Sequence, residues 1–202
     1  MVENLHTYAL VCLTSPNGAE LLIEAMAERG LDGRALANAT IAAIGPGTAR
    51  TLRRLGLIAD IVPARSVAES LVESLREVDV ADRPVLIARA AEARDVLPDA
   101  LADRDASVDV VALYETVREP ADEVLIEAIA DADYVTFTSS STVRYFLDTV
   151  GDRFPAAAKI VSIGPVTSET ARELGLTVAV EATEHDPDGL VEALLKAAAA
   201  GE

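Results

Sequence analysis

The chain has 202 residues, half of them apolar, enough for one large domain or two of about 100 residues each. Its 17 basic and 34 acidic residues leave a net charge of −17, which argues against nucleic acid, a partner that needs a basic footprint. Aromatic residues make up only 3% of the chain, so the predicted core is aliphatic. Apolar strand-like runs alternate with helical segments throughout, the pattern of an α/β protein with parallel sheets. The first predicted strand is Tyr8–Leu13, and Pro16 opens a helix that runs to about Arg29 and stops at Gly30. Strand 40–44 and helix 47–55 follow, with Gly56 as the C-cap. Next come strand 58–62, helix 67–77, strand 85–88, helix 91–103 and strand 108–114.

Five strands with four intervening helices make a flavodoxin-like domain over residues 8–116. Residues 117–121, with Pro120, break the pattern as a linker. A second set covers 122–202: strands 134–138, 159–163 and 177–180, and helices 141–150, 166–174 and 187–199. The predicted fold class is therefore α/β, two flavodoxin-like parallel-sheet domains joined by a linker. The second lacks about two βα units. An open three-stranded parallel sheet leaves an edge uncovered. The expectation is that the missing units lie ahead of Met1 in a longer protein, come from a partner chain, or are absent at a cost in stability.

The chain writes one sentence twice. Thr14-Ser15-Pro16-Asn17, Ile44-Gly45-Pro46-Gly47-Thr48 and Leu55-Gly56-Leu57 return as Thr138-Ser139-Ser140-Ser141, Ile163-Gly164-Pro165-Val166-Thr167 and Leu174-Gly175-Leu176. Gly45 to Leu71 and Gly164 to Leu190 each span 26 positions. Such a repeat implies two related domains, expected to face each other across a cleft. Its words fall where strands end and helices begin, the ligand-binding ends of α/β sheets. The Gly-Pro-x-Thr turns present a threonine hydroxyl and free helix N–H groups, which attract anions; ordinary capping is the plainer role of any single turn. Thr14, Ser15, Ser139 and Ser140 either cap helices or hold an anionic ligand. Together these positions describe a polyanion site built from small polar groups and backbone amides, compatible with an acidic chain.

Tyr114 ends the fifth strand, where a phenol is well placed to donate a proton, or simply packs against the linker. Arg89 and Arg94 follow the fourth strand and either reaches a carboxylate, although a surface salt bridge is the plainer role for Arg94. His6 and His185 stand in no catalytic or metal-ligating constellation, and the single Cys12 builds neither a disulfide framework nor a Cys-based metal site. No Walker loop or G-x-G-x-x-G fingerprint supports a nucleotide cofactor. No run of about 18 apolar residues predicts a membrane span, and the first residues lack a signal peptide's pattern. A cytoplasmic protein is expected.

LTSPN at 13–17, AAIGPGTA at 42–49, VLIARAAEARDVLPDAL at 85–101, VVALYETV at 110–117, VTFTSSS at 135–141 and VSIGPVTSETARELGL at 161–176 resemble, in order, the uroporphyrinogen-III synthase family. That family has two flavodoxin-like domains, one inserted and one formed by both chain ends. The chain matches the inserted domain and the C-terminal half of the other, and departs from the pattern by lacking the opening β-α-β segment. The resemblance implies a cofactor-free cyclisation of hydroxymethylbilane to uroporphyrinogen III with inversion of ring D. It implies Tyr114 as hydrogen-bond donor or acid to the departing hydroxyl, and a polycarboxylate substrate held around Thr14, Ser15, Thr48, Arg89, Ser139, Ser140 and Thr167. It also implies handover of that substrate from hydroxymethylbilane synthase. Two other readings stay open on the residues alone: a non-catalytic tetrapyrrole- or anion-binding module, and a two-lobed α/β domain for some other small anion.

Overall fold

The computed structural model describes residues 2–118, 120 and 122–199, and of Leu125 the backbone only. The described chain divides into two units, one ending at Thr116 and the other beginning at Val117. Glu119 and Ala121 of the expected linker, and residues 200–202, lie outside the described residues.

The first unit opens with a 3-10 turn over Val2–Thr7, then alternates strands and helices. In order these are β1 (Leu10–Leu13), α1 (Pro16–Ala27), β2 (Thr40–Ala43), α2 (Pro46–Arg54), α3 (Ala68–Ser74), β3 (Pro84–Ala90), α4 (Val96–Ala102) and β4 (Ser107–Tyr114). All strand pairs are parallel, in the order β2-β1-β3-β4. The connections leave β1 in opposite directions, so the switch point lies between β1 and β3, where open α/β sheets take their ligands.

Both faces of this sheet are covered, which explains the unbroken apolar run of β1. Val11 and Leu13 point to one core with Leu22, Met26 and Leu52 from α1 and α2. Leu10 and Cys12 point to the other with Leu71, Leu75, Leu97 and Leu101 from α3 and α4. Cys12 is fully buried, and burial pushes its thiol up to about 12.

The expected strand 58–62 contracts to one bridge, Ile61 to Ala42. The Asp60 side chain accepts the Ile41 N–H at 2.8 Å, replacing a ladder partner, and Pro63 follows two residues after Ile61. The expected helix 91–103 starts only at Val96. The Arg89 guanidinium donates to the Arg94 carbonyl at 3.0 Å and to Asp95 at 2.7 Å, holding 91–95 as a turn. Pro98 then sits in the first helical turn, where its missing N–H costs nothing.

The second unit runs α5 (Glu123–Ile129), β5 (Tyr134–Phe137), α6 (Ser140–Val150), β6 (Lys159–Ser162), α7 (Pro165–Glu173), β7 (Val178–Glu181) and α8 (Pro187–Ala199). Its parallel sheet has the order β5-β6-β7. Among the described residues β5 pairs only with β6, whereas its counterpart β1 lies between two strands. The core is not wholly aliphatic. Phe137, Phe146 and Phe154 form an edge-to-face chain, with centroids 5.6 and 6.0 Å apart. No helix among the described residues is long and apolar enough to cross a membrane.

Gly56 and Gly175 end α2 and α7 with φ of +84° and +82°, a left-handed conformation that glycine adopts without a Cβ clash. The repeated Leu-Gly-Leu is therefore the backbone chemistry of two equivalent helix ends.

Candidate functional site

At the carboxyl ends of β1 and β3 the first unit holds a cavity of about 190 Å³. Thr14, Arg89 and Tyr114 line it, as does Arg94. Its walls are Ile44, Ile87, Leu97 and Pro98, on the sheet face that packs α3 and α4. The pairing of β3 with β4 slips by one residue between Arg89 and Ala90, so Ala90 faces Tyr114 rather than Leu113. Such an irregularity re-aims side chains beside a site, and here it brings Tyr114 to the cavity.

The Tyr114 hydroxyl donates to Ser15 Oγ at 2.9 Å. Ser15 Oγ also accepts the Gly18 N–H at 2.9 Å, so it caps α1 while holding the phenol. This hydrogen bond ties the loop after β1 to the end of β4, 99 residues apart. Thr14, Ser15, Arg89 and Tyr114 are thus brought together. Arg89 is nearly enclosed, with a side chain 12% exposed, and its charge is met by Asp95. Arg94 pairs with Glu69 at 2.7 and 3.2 Å. Hydrogen bonding from that guanidinium holds the Glu69 carboxyl below the usual carboxylate range.

Thr48 lies in the first turn of α2, only 1% exposed, and its Oγ1 has no hydrogen-bond partner among the described residues. A buried hydroxyl without a partner costs free energy. In the second unit Thr167 occupies the same turn of α7, also buried. Beside it, Ser162 and Ser168 share a buried hydrogen bond of 2.5 Å, where the first unit has Ala43 and Ala49. Ser139 and Ser140 serve local structure. Ser139 caps α6 in a reciprocal box with Thr142. Ser140 donates to the Val166 carbonyl at 3.3 Å and accepts from Thr170 at 2.8 Å.

Residue-type reasoning passed over two positions that the structure singles out. A Cβ on Gly45 would collide with Ser66, and one on Gly164 would come within 3.0 Å of the His185 ring. Each partner stands 21 positions after its glycine, so extending the repeat by its spacing would have found both.

The family model described as uroporphyrinogen-III synthase HemD matches residues 1–192. The porphyrin biosynthesis protein HemD of Ruminiclostridium josui is 33% identical over 201 residues, 96% of this chain. The chain spans 39% of that relative's length. A putative uroporphyrinogen-III synthase of Methanothermobacter thermautotrophicus is 34% identical over 180 residues, covering 83% of this chain and 70% of the relative. A mutant uroporphyrinogen III synthase from Thermus thermophilus superposes with a TM-score of 0.69 at 25% identity, covering 100% of this chain and 82% of that one. With its duplicated turns and two parallel sheets, the chain belongs to the uroporphyrinogen-III synthase family.

Proposed function

We propose that this chain cyclises hydroxymethylbilane to uroporphyrinogen III with inversion of ring D, without a cofactor, in tetrapyrrole biosynthesis. Loss of the terminal hydroxyl as water leaves an azafulvene cation. The substituted carbon of ring D attacks it, and the spiro intermediate fragments and recloses. Tyr114 donates its hydroxyl proton toward the departing oxygen. The observation that carries this role is its hydrogen bond to Ser15 Oγ, which fixes the phenol at the cavity; its one proton turns from Ser15 to the substrate when it donates. A phenol is a weak acid but a good neutral donor near pH 7. Uncatalysed closure gives the uninverted isomer, so the main task is to impose a conformation.

In this reading Thr14, Ser15, Thr48 and Arg89 hold substrate carboxylates in the first unit, and Ser139, Ser140 and Thr167 hold them in the second. The reaction belongs in the cytoplasm, with substrate handed over by hydroxymethylbilane synthase. The acidic composition and the absence of a long apolar helix among the described residues agree with that location.

A second reading, binding without turnover, is favoured by one feature: among the described residues β5 pairs only with β6, whereas β1 lies between two strands. The isomer assay separates the two. Hydroxymethylbilane generated in place is exposed to the purified chain, and the oxidised products are resolved as uroporphyrin I and III. Isomer III above the blank is the expected result. Isomer I alone would mean that this chain is an incomplete synthase or a binding relative, and would overturn the reading of it as an active synthase.

A further inference from the structure

We propose that His185 is a positioning residue for the Gly-Pro-x-Thr turn of the second unit. Its ring wedges the loop before α8 against Gly164, and so holds Thr167 and the first-turn N–H groups of α7 where they meet substrate. This rests on the reading of Thr167 as a substrate contact.

The backbone does not require a glycine at position 164. Its φ of 171° and ψ of 178° are extended, a conformation that any residue adopts and that a residue before proline favours. The neighbour is what excludes a side chain. A Cβ on Gly164 would lie 3.0 Å from Cδ2 and 3.1 Å from Cγ of His185, and 3.5 Å from its Nε2; these are the three nearest atoms. Contacts as short as the first two force one partner to shift. Gly164 and His185 are therefore one packing pair, the N-cap of α7 against a half-buried ring.

The loop that carries the ring is fastened on both sides of it. The Ala182 N–H donates to the Ser162 carbonyl at 2.9 Å, and the Asp186 carboxylate accepts the Gly189 N–H at 2.9 Å. A Cβ on Gly189 would collide with the Glu184 carbonyl. The ring thus has a fixed place, over the residue whose carbonyl accepts the first bond of α7, from the Ser168 N–H at 3.0 Å. Thr167 is buried in that same turn, so any shift of the turn displaces its hydroxyl.

The first unit solves the same contact differently. A Cβ on Gly45 would meet the Ser66 side chain and, at 3.3 Å, the Ser66 Cα, so the loop backbone itself reaches the turn. In the second unit no backbone atom is among the three nearest, and the imidazole spans the wider gap. His185 is a spacer that serine is too short to replace.

The test measures KM and kcat for isomer III formation, and the Kd of uroporphyrinogen III under anaerobic conditions. It compares the full chain with H185A, H185S, H185F, G164A and the double variant G164A/H185A. Circular dichroism and melting curves show that each variant folds. H185A and H185S should raise KM and Kd about tenfold, the worth of one misplaced hydrogen bond to a charged group. Their kcat should stay within about twofold, the mark of lost uniform binding. H185F, which keeps a flat ring, should recover most of the loss. G164A should lower the melting temperature with His185 present and raise it in H185A, where the methyl meets no ring and alanine narrows the unfolded ensemble.

A purely structural wedge would lower the melting temperature and leave KM and Kd of the folded variants unchanged, which overturns the proposal. Additive melting shifts of G164A and H185A overturn the packing pair, and H185F matching H185A overturns a role through packing. Absence of product binding by the unaltered chain overturns it as well. The isomer assay reads the activity separately. Isomer III at an unchanged KM in folded H185A contradicts this role alone. Product binding weakened in H185A, with isomer I alone from the unaltered chain, supports the role and contradicts the synthase reading.

Discussion

In the proposed reading, Thr48 is a residue poor for stability that would serve the ligand. Its hydroxyl is buried with no partner among the described residues, a cost of roughly 1–3 kcal/mol for a buried polar group left unmatched. Thr48→Val replaces that hydroxyl with a methyl of similar shape. The variant is expected to melt higher than the unaltered chain, by a few degrees for each kcal/mol gained at this size, and to raise the KM for hydroxymethylbilane. Thermal melts and initial rates check both; a lower melting temperature would mean that the hydroxyl has a stabilising partner. From the sequence, Thr48 was recognisable as a turn residue of a repeat. Its lack of a partner was not, because that depends on what the rest of the unit packs around it.

At the scale of elements, β1 carries the chemistry of the first unit's core. Tyr8, just before it, donates to Asp109 of β4 at 2.6 Å, and burial, then that bond and the nearby carboxylate charge, pushes its hydroxyl up to about 12. The folded chain therefore keeps this proton, and that of Cys12, at pH values where the unfolded chain has lost them. The stabilisation is fully present below the unfolded tyrosine value of about 10 and is lost as pH rises toward about 12. Melting temperature should fall over that interval, and Tyr8→Phe should flatten the fall while leaving the share due to Cys12. An unchanged slope in Tyr8→Phe would contradict the assignment. Most elements were legible because alternating apolar runs and Gly-Pro punctuation announce them. Helix α8 begins at the expected Pro187. Strand 58–62 was misjudged because a carboxylate, Asp60, takes the place of a ladder partner. The late start of α4 depends on Arg89 gripping its own turn. Both are tertiary events that no local pattern encodes.

Across the whole chain, two units repeat one strand-turn-helix grammar and then diverge in their fillings. The first packs no phenylalanine, while the second gathers all three. The repeat made the Gly-Pro-x-Thr turns and the helix-ending glycines visible in the sequence, because glycine leaves an identifiable mark wherever a Cβ cannot fit. The cavity was not visible. It arises where β3 and β4 slip by a residue, and where a serine 99 positions away fixes the tyrosine. The proposed reaction turns on that tyrosine, so the most direct measurement is the rate of isomer III formation by Tyr114→Phe beside the unaltered chain. Removing one partly buried hydroxyl should change stability by only about 1 kcal/mol, since Ser15 keeps its bond to Gly18. The predicted result is a folded variant whose isomer III rate drops by about 10²–10⁴, the range of a positioned proton donor. An unchanged rate in a folded variant would remove Tyr114 from the reaction and contradict the account.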